Sequence, residues 1–227
     1  MYFCIYNIKV TMKVLLVNGS PHVKGCTATA LGEVAKALNE CGIETKISWI
    51  GGKPLSGCVA CDYCKSAHQC AIDSDMVNVI GAELDNYDGF IFGSPVYYAS
   101  PNGSMISFMD RLFHAFKSKL LFKPAAAIVS CRRAGSTSSF DVLNKYFTIY
   151  NMPLVTSSYW NGVHGNTPEE VVQDIEGMQV MRNLGKNMAW LLKCIEAGKQ
   201  AGISHPEPDP QVKTNFIREY LKPTHTF

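Results

Sequence analysis

Residues 13–20 read KVLLVNGS. A leucine and β-branched run ending in Asn-Gly-Ser is a buried strand that stops at a turn. Behind it, CTATALGEVAKALNECG (26–42) sets Leu31, Val34, Ala35 and Leu38 at i, i+3, i+4 and i+7. That spacing is one face of a helix, and Gly42 can end it. Ile43, Thr45, Ile47 and Trp49 then alternate with polar residues, so 43–50 reads as a half-buried or edge strand.

The alternation continues along the chain. Met76, Val79 and Ile80 mark a second helix, and DGFIFGSP (88–95) a central strand. Met105, Ile106, Met109, Leu112, Phe113 and Phe116 mark a third helix, and AAAIVSC (125–131) another buried strand. Residues 138–150 read as helix and PLVTSSYW (153–160) as a last strand. Thr167 as N-cap, Pro168 at the first helical position and Glu170 completing a capping box open a final helix to about residue 200, which Gly177 and Gly185 weaken. Phe108, Met109, Leu112, Phe113 and Phe116 exceed one helix face, so they serve either the core or a subunit interface.

Five strands alternating with helices predict an α/β fold, a doubly wound parallel sheet of flavodoxin-like order 2-1-3-4-5 with helices on both faces. Ligands of such sheets bind at the carboxyl ends of the strands, near the switch point.

The bulk properties agree with one such domain. The chain has 227 residues, 47% hydrophobic and 18% charged, with net charge +2. That length supports a sizeable core, and the charge is too small to argue for nucleic acid or an acidic membrane surface. No apolar run reaches the roughly 18 residues that span a bilayer. In MYFCIYNIKVT (1–11) the only charge, Lys9, follows the apolar part, which is the wrong order for an export signal. Met12-Lys13 reads as an alternative start, so 1–12 is expected to be an extension, 13–201 the domain and 202–227 a Pro- and His-containing tail. Nine cysteines without an export signal point to a reducing, cytoplasmic setting.

Three loops fall at the carboxyl ends. NGSPHVKGCTATAL follows the first strand and matches neither a Walker loop nor a dinucleotide fingerprint. It still offers Ser20, Cys26, Thr27 and the amide groups of a helix N-terminus, with His22 and Lys24 as added charge; this suits a single phosphate as well as an ordinary cap. GSPVYYASPNGS (93–104) puts Tyr97 and Tyr98 where they can flank a flat ring. CRRAGSTSS (131–139) has Gly135 for a tight turn and Arg132 or Arg133 to face an anion or solvent.

GCVACDYCKSAHQC (57–70) raises a separate question. Cys58, Cys61, Cys64 and Cys70 have the spacing C-x2-C-x2-C-x5-C. Disulfides, a zinc ion, an iron–sulfur cluster and a metal-free thiol loop all compete. The compartment disfavours disulfides. Zinc sites usually separate two C-x2-C pairs by a longer span. Consecutive x2 spacings resemble iron–sulfur runs. Cys41 and Cys194 read as small apolar groups packed on helices, Cys131 ends a strand, and Cys4 lies in the extension. His68, inside the motif, reads as a solvated loop residue; His114 and His164 have no partner nameable from sequence and read as structural.

Taken together, GSPHVKGCTATAL, GSPVYYASPNGSMISFMDRLF and RRAGST resemble the NADPH-dependent FMN reductase family of flavodoxin-like proteins, over about residues 13–195. The resemblance implies FMN bound non-covalently. Its phosphate would lie on Ser20, His22, Cys26 and Thr27, although many relatives carry arginine where His22 stands. Its ring would lie against Pro95, Val96, Tyr97 and Tyr98, with Arg132, Gly135 and Ser136 near. The cysteine spacing is similar to that of the iron–sulfur flavoprotein branch. There, four such cysteines bind a [4Fe–4S] cluster and subunits pair so that cluster and flavin approach. The implied activity is that of an FMN-dependent oxidoreductase or electron carrier. NAD(P)H or a ferredoxin-type protein would be its donor, a homodimer or homotetramer its assembly, and no side chain would be needed as catalytic acid or nucleophile. A cluster-free FMN, quinone or nitro/azo reductase is the alternative. A zinc-stabilised interaction module without flavin is the rival of another class, against which Ser20, Thr27, Tyr97 and Gly135 argue.

Overall fold

The computed structural model describes residues 11–207, 209 and 210, so Cys4, nearly all of the expected extension and most of the expected tail lie outside the described residues. The chain alternates strand and helix: β1 (Lys13–Asn18), α1 (Cys26–Glu40), β2 (Glu44–Trp49), the short α2 (Cys64–Ala67), α3 (Met76–Glu83), β3 (Gly89–Tyr97), the two-residue β4 (Ser100–Pro101), α4 (Gly103–Phe116), β5 (Ala125–Cys131), α5 (Ser136–Thr148), β6 (Gly162–His164), α6 (Pro168–Gln173) and α7 (Ile175–Gln200). The sheet runs β2-β1-β3-β5-β6, all parallel, and β4 adds an antiparallel ribbon to the end of β3. The expected flavodoxin-like α/β sheet is therefore present, with a sixth short strand the sequence reading lacked. Among the described residues no helix is long and apolar enough to cross a membrane.

Side chains of a strand alternate between faces. Leu15, Val17, Phe90, Phe92, Ala125 and Ala127 enter one core with α3, α4 and α5. Val14, Leu16, Ile91, Ala126 and Ile128 enter the other with α1 and α7. Both faces are covered, which is why these strands read as unbroken apolar runs. In the first core Phe92 packs its ring 5.5 Å from both Phe113 and Phe147. Phe108, Met109, Leu112, Phe113 and Phe116 are all buried there. The surplus apolar residues of α4 thus serve this core, not an interface.

Four expectations are corrected. The last strand is Gly162–His164, not 153–160. Pro153 and Val155 bond the start of β5, but the chain then leaves the sheet through Tyr159-Trp160 and rejoins it at Gly162. The final helix breaks at Asp174, whose carboxylate caps α7 by accepting from the Gly177 N–H at 2.9 Å. Gly185, read as a weakness, is a contact point: a Cβ there would meet Ala37 Cβ and Val34 O at 2.8 Å, so it lets α7 lie against α1. Cys194, expected to pack, is exposed.

Candidate functional site

The carboxyl ends of β1, β3 and β5 come together as the topology requires. Gly19 donates its N–H to Gly93 O at 2.8 Å, tying the first loop to β3. No larger residue fits at Gly19, where a Cβ would stand 2.6 Å from Met105 Sδ and 2.9 Å from Gly93 O. Asn102, which the sequence reading passed over, is the clamp. Its Nδ2 donates to Gly19 O at 2.8 Å, its Oδ1 accepts from Met105 N at 2.8 Å as the cap of α4, and its own N–H donates to Ser94 Oγ. Asn102→Ala removes a cap worth about 1 kcal/mol and leaves a buried carbonyl unpaired at about 1–3 kcal/mol. We expect a destabilisation of about 2–4 kcal/mol, checked by urea unfolding of the apoprotein; a change under about 0.5 kcal/mol would contradict the clamp.

Of the residues predicted for a phosphate, Ser20 is buried and its Oγ accepts from the His22 N–H at 3.1 Å, leaving the hydroxyl proton to donate elsewhere. Its carbonyl accepts from Trp49 Nε1 at 2.7 Å. Thr27 is also buried, but its hydroxyl pairs with Ser130 Oγ at 2.8 Å. Its side chain braces α1 against β5, so only its backbone N–H faces the helix end. Cys26 lies beside Gly165 O, and burial pushes its thiol up. His22 is exposed on the rim of an open hollow of about 540 Å³ shared with Lys24, Trp49 and Asn166. No side chain caps α1 or α5, whereas Asp75, Asn102, Thr167 and Asp174 cap α3, α4, α6 and α7. The N-termini of α1 and α5 lie at the carboxyl edge of the sheet, where their amides can donate to an anion.

The ring-flanking loop is a hairpin between β3 and β4. Pro95 and Val96 are half-buried, Tyr97 is exposed and Tyr98 fully so. Tyr98 and Ala99 both have positive φ, 50° and 57°, the backbone of a type I′ turn without glycine. Such strain persists only where neighbours hold it. Gly135, itself at φ 87°, lies so close that a Cβ would meet Ala99 Cα at 2.6 Å, and Ser138 Oγ donates to Ala99 O at 2.7 Å. Arg132 and Arg133 are exposed beside it. Ser136 lines a neighbouring cavity of about 200 Å³ with Tyr159, Trp160 and Asn161. The buried Asn161 Oδ1 has no hydrogen-bond partner there among the described residues. His164, on the same wall, has Asp174 3.4 Å from its Nδ1.

The cysteine loop forms a second centre. Cys58, Cys61, Cys64 and Cys70 all line one small cavity against α4, with Arg111, His114 and Ala115 on its floor. Between them Ala60, Asp62 and His68 have φ of 51°, 56° and 54°, so the chain reverses repeatedly to bring successive cysteines to one side. Burial pushes the Cys64 thiol up; a backbone hydrogen bond opposes this, and the three other cysteines push it further up. Among the described residues no three His, Cys, Asp or Glu side chains stand close enough to share one metal ion, and the eight described cysteines are free thiols. The last cysteine is the best anchored. Its N–H and C=O pair with Asn78 at 2.8 and 2.9 Å, and Arg111 Nε donates to its Sγ at 3.1 Å. Asp75, Asn78 and Arg111 carried no local signal, since each becomes part of the loop only across the packed α3–α4 face.

The sheet order, the helix ends at its carboxyl edge and the aromatic hairpin define a flavodoxin-like protein. Comparison with known proteins narrows the class. The profile of the NADPH-dependent FMN reductase family matches residues 12–167, and the chain belongs to that family of flavin-dependent oxidoreductases. An iron–sulfur flavoprotein of Methanocaldococcus jannaschii is 31% identical over 193 residues, covering 82% of this chain and 100% of its own, and the chain groups with that branch. Iron–sulfur flavoproteins of Archaeoglobus fulgidus and Methanosarcina thermophila are 28% and 25% identical and covered over 97% and 99% of their lengths, against 79% and 83% of this chain. Solved structures share the fold at low identity. RosB with bound 8-demethyl-8-formylriboflavin-5'-phosphate aligns at TM-score 0.64 and 13% identity over 92% of this chain and 93% of its own. A WrbA-like flavodoxin of Agrobacterium tumefaciens aligns at 0.56 and 16%, over 81% and 98%.

Proposed function

We propose that the chain is an electron-transfer flavoprotein that holds FMN at the carboxyl edge of the sheet and a [4Fe–4S] cluster on Cys58, Cys61, Cys64 and Cys70. The observation that carries this reading is that all four cysteines line one cavity, on a loop with three left-handed residues between them. In a cubane each thiolate binds a different iron, so the four need not crowd as ligands of a single zinc do. The donor set, four thiols on one short loop, suits the cluster. Relatives named iron–sulfur flavoproteins, matched over nearly their whole lengths, support it.

The residues at the sheet edge suit FMN equally. The uncapped N-terminus of α1 and the Ser20 hydroxyl are donors for a phosphate. Thr27 contributes its amide, His22 and Cys26 line the rim, and Pro95, Val96, Tyr97 and Tyr98 form a flat wall for a ring. The loop Arg132–Ser136 packs against that hairpin through Gly135, and the α5 amides and Arg132 would be its donors to the flavin's polar atoms. When bound, FMN exchanges hydride or single electrons, and the cluster exchanges single electrons. The protein orients and shields them and needs no general acid or nucleophile of its own. Helix α4 starts at the hairpin and reaches Arg111, under the cysteines, eight residues later, about 12 Å at 1.5 Å per residue. One rigid element thus spaces the two centres. The donor is NAD(P)H or a ferredoxin-type protein, and the chain works as a homodimer or homotetramer in the cytoplasm.

Protein purified without oxygen tests this reading. A flavin spectrum on a broad shoulder near ~400 nm, with about four irons and four sulfides per chain, is the expected result. A flavin spectrum without iron would make the chain a cluster-free FMN, quinone or nitro/azo reductase. A colourless protein would sink both readings.

A further inference from the structure

We infer that Arg111 sets the redox poise of the cysteine centre, by hydrogen-bonding the sulfur of Cys70 while stapling both ends of the cysteine loop. The inference rests on the reading that the four cysteines hold a cluster.

Arg111 is 1% exposed, the largest fully buried side chain of the described residues. A guanidinium out of water costs several kcal/mol unless its five N–H donors and its charge are met. Here Nε donates to Cys70 Sγ at 3.1 Å. Nη1 donates to Asp75 Oδ2 at 2.5 Å and to Ser56 O at 3.3 Å, and Nη2 to Ile72 O at 2.5 Å. Ser56 precedes Cys58 and Ile72 follows Cys70, so one planar group holds the loop where it enters and where it leaves. Lysine, a point charge on a flexible stem, cannot make this fork.

The Nε contact does more than staple. Asp75 is the one carboxylate in the guanidinium's hydrogen-bond shell, and Cys70 is the one sulfur. A thiolate at Cys70 would accept a charge-assisted hydrogen bond from a cation in a dry setting, where such a bond is strong. Electron density drawn from a ligand sulfur, and a positive charge beside it, favour the reduced, more negative form of a cluster. His114 and Asp62 also face the cavity, but both are exposed and 3.9 Å apart, so solvent screens them. Arg111 is therefore a positioning residue with an electrostatic effect that a merely structural arginine would lack.

The test uses anaerobically purified, flavin-containing holoprotein of the wild type, Arg111→Gln and Arg111→Lys. Iron, sulfide and FMN are assayed first, and the cluster potential is then read by a redox titration followed by electron paramagnetic resonance. Arg111→Gln should retain FMN and titrate lower, its reduction equilibrium with a fixed donor shifted about tenfold toward the oxidised cluster, about 59 mV for one electron. Arg111→Lys keeps the charge and should shift less. If Arg111→Gln loses its iron, Arg111→Lys decides alone: a lowered potential supports the inference. Variants that titrate at the wild-type potential, with full iron or in the clusters they keep, would reduce Arg111 to a staple and overturn it. A wild type with FMN but no iron would fail at the first assay, sinking the cluster reading and the inference with it.

Discussion

Replacing Cys61 or Cys64 by serine should strip the protein of iron while leaving its flavin in place. A serine hydroxyl does not ionise near neutral pH and is a hard, weak ligand where a soft thiolate is needed. The loop carries four cysteines for four iron positions, so a single loss leaves the cluster open to solvent. Iron should fall from about four per chain to well under one. The flavin loops follow β1, β3 and β5, outside the cysteine loop, so FMN content should stay near that of the wild type. Cys194→Ser is the control, because Cys194 is exposed on α7, remote in sequence and element from the loop. Full iron in Cys64→Ser would mean that the loop is not the cluster site. Iron loss in Cys194→Ser as well would point to non-specific damage.

The second large effect concerns Gly135. Gly135→Ala should destabilise the apoprotein by about 2–3 kcal/mol and weaken FMN binding tenfold or more. A left-handed alanine costs about 1–2 kcal/mol. The new methyl would also stand 2.6 Å from Ala99 Cα and 2.9 Å from Ala99 Cβ, both on a turn with little freedom to retreat. The Tyr97–Tyr98 hairpin must move, and with it the wall proposed for the ring. Thermal unfolding of the apoprotein measures the first effect and quenching of FMN fluorescence the second. Wild-type affinity alongside lost stability would separate the hairpin from the flavin.

These effects divide what local pattern can reveal from what it cannot. The runs KVLLVN, GFIFGSP and AAAIVSC were legible because a strand covered on both faces needs apolar residues at every position. The α1 face was legible because 3.6 residues per turn impose a spacing. The Thr167 N-cap was legible because its bond lies within one turn: the Glu170 N–H donates to Thr167 Oγ1 as expected of such a start, although the Glu170 carboxylate accepts from the Asn166 N–H and not from that of Thr167. The last strand was misread. PLVTSSYW has strand composition, but its aromatic pair leaves the sheet, and a three-residue edge strand follows instead. No local rule separates those two outcomes. The hydroxyl of Thr27 had the right chemistry for an anion, yet a partner 103 residues away takes it.

By itself the sequence determined the order of elements, the parallel sheet and the three loops at its carboxyl edge, because burial on two faces and helical periodicity are written in neighbouring residues. It also determined that four thiols occur on one short segment. Only the tertiary structure decided that the thiols turn to one cavity, that Asn102 locks the loop after β1 to the loop after β3, and that Arg111 lies buried beneath Cys70, 41 residues away. The physical reason is that a buried charge or amide is satisfied by whichever distant groups the packing delivers. That delivery is a property of the folded core and not of any stretch of chain.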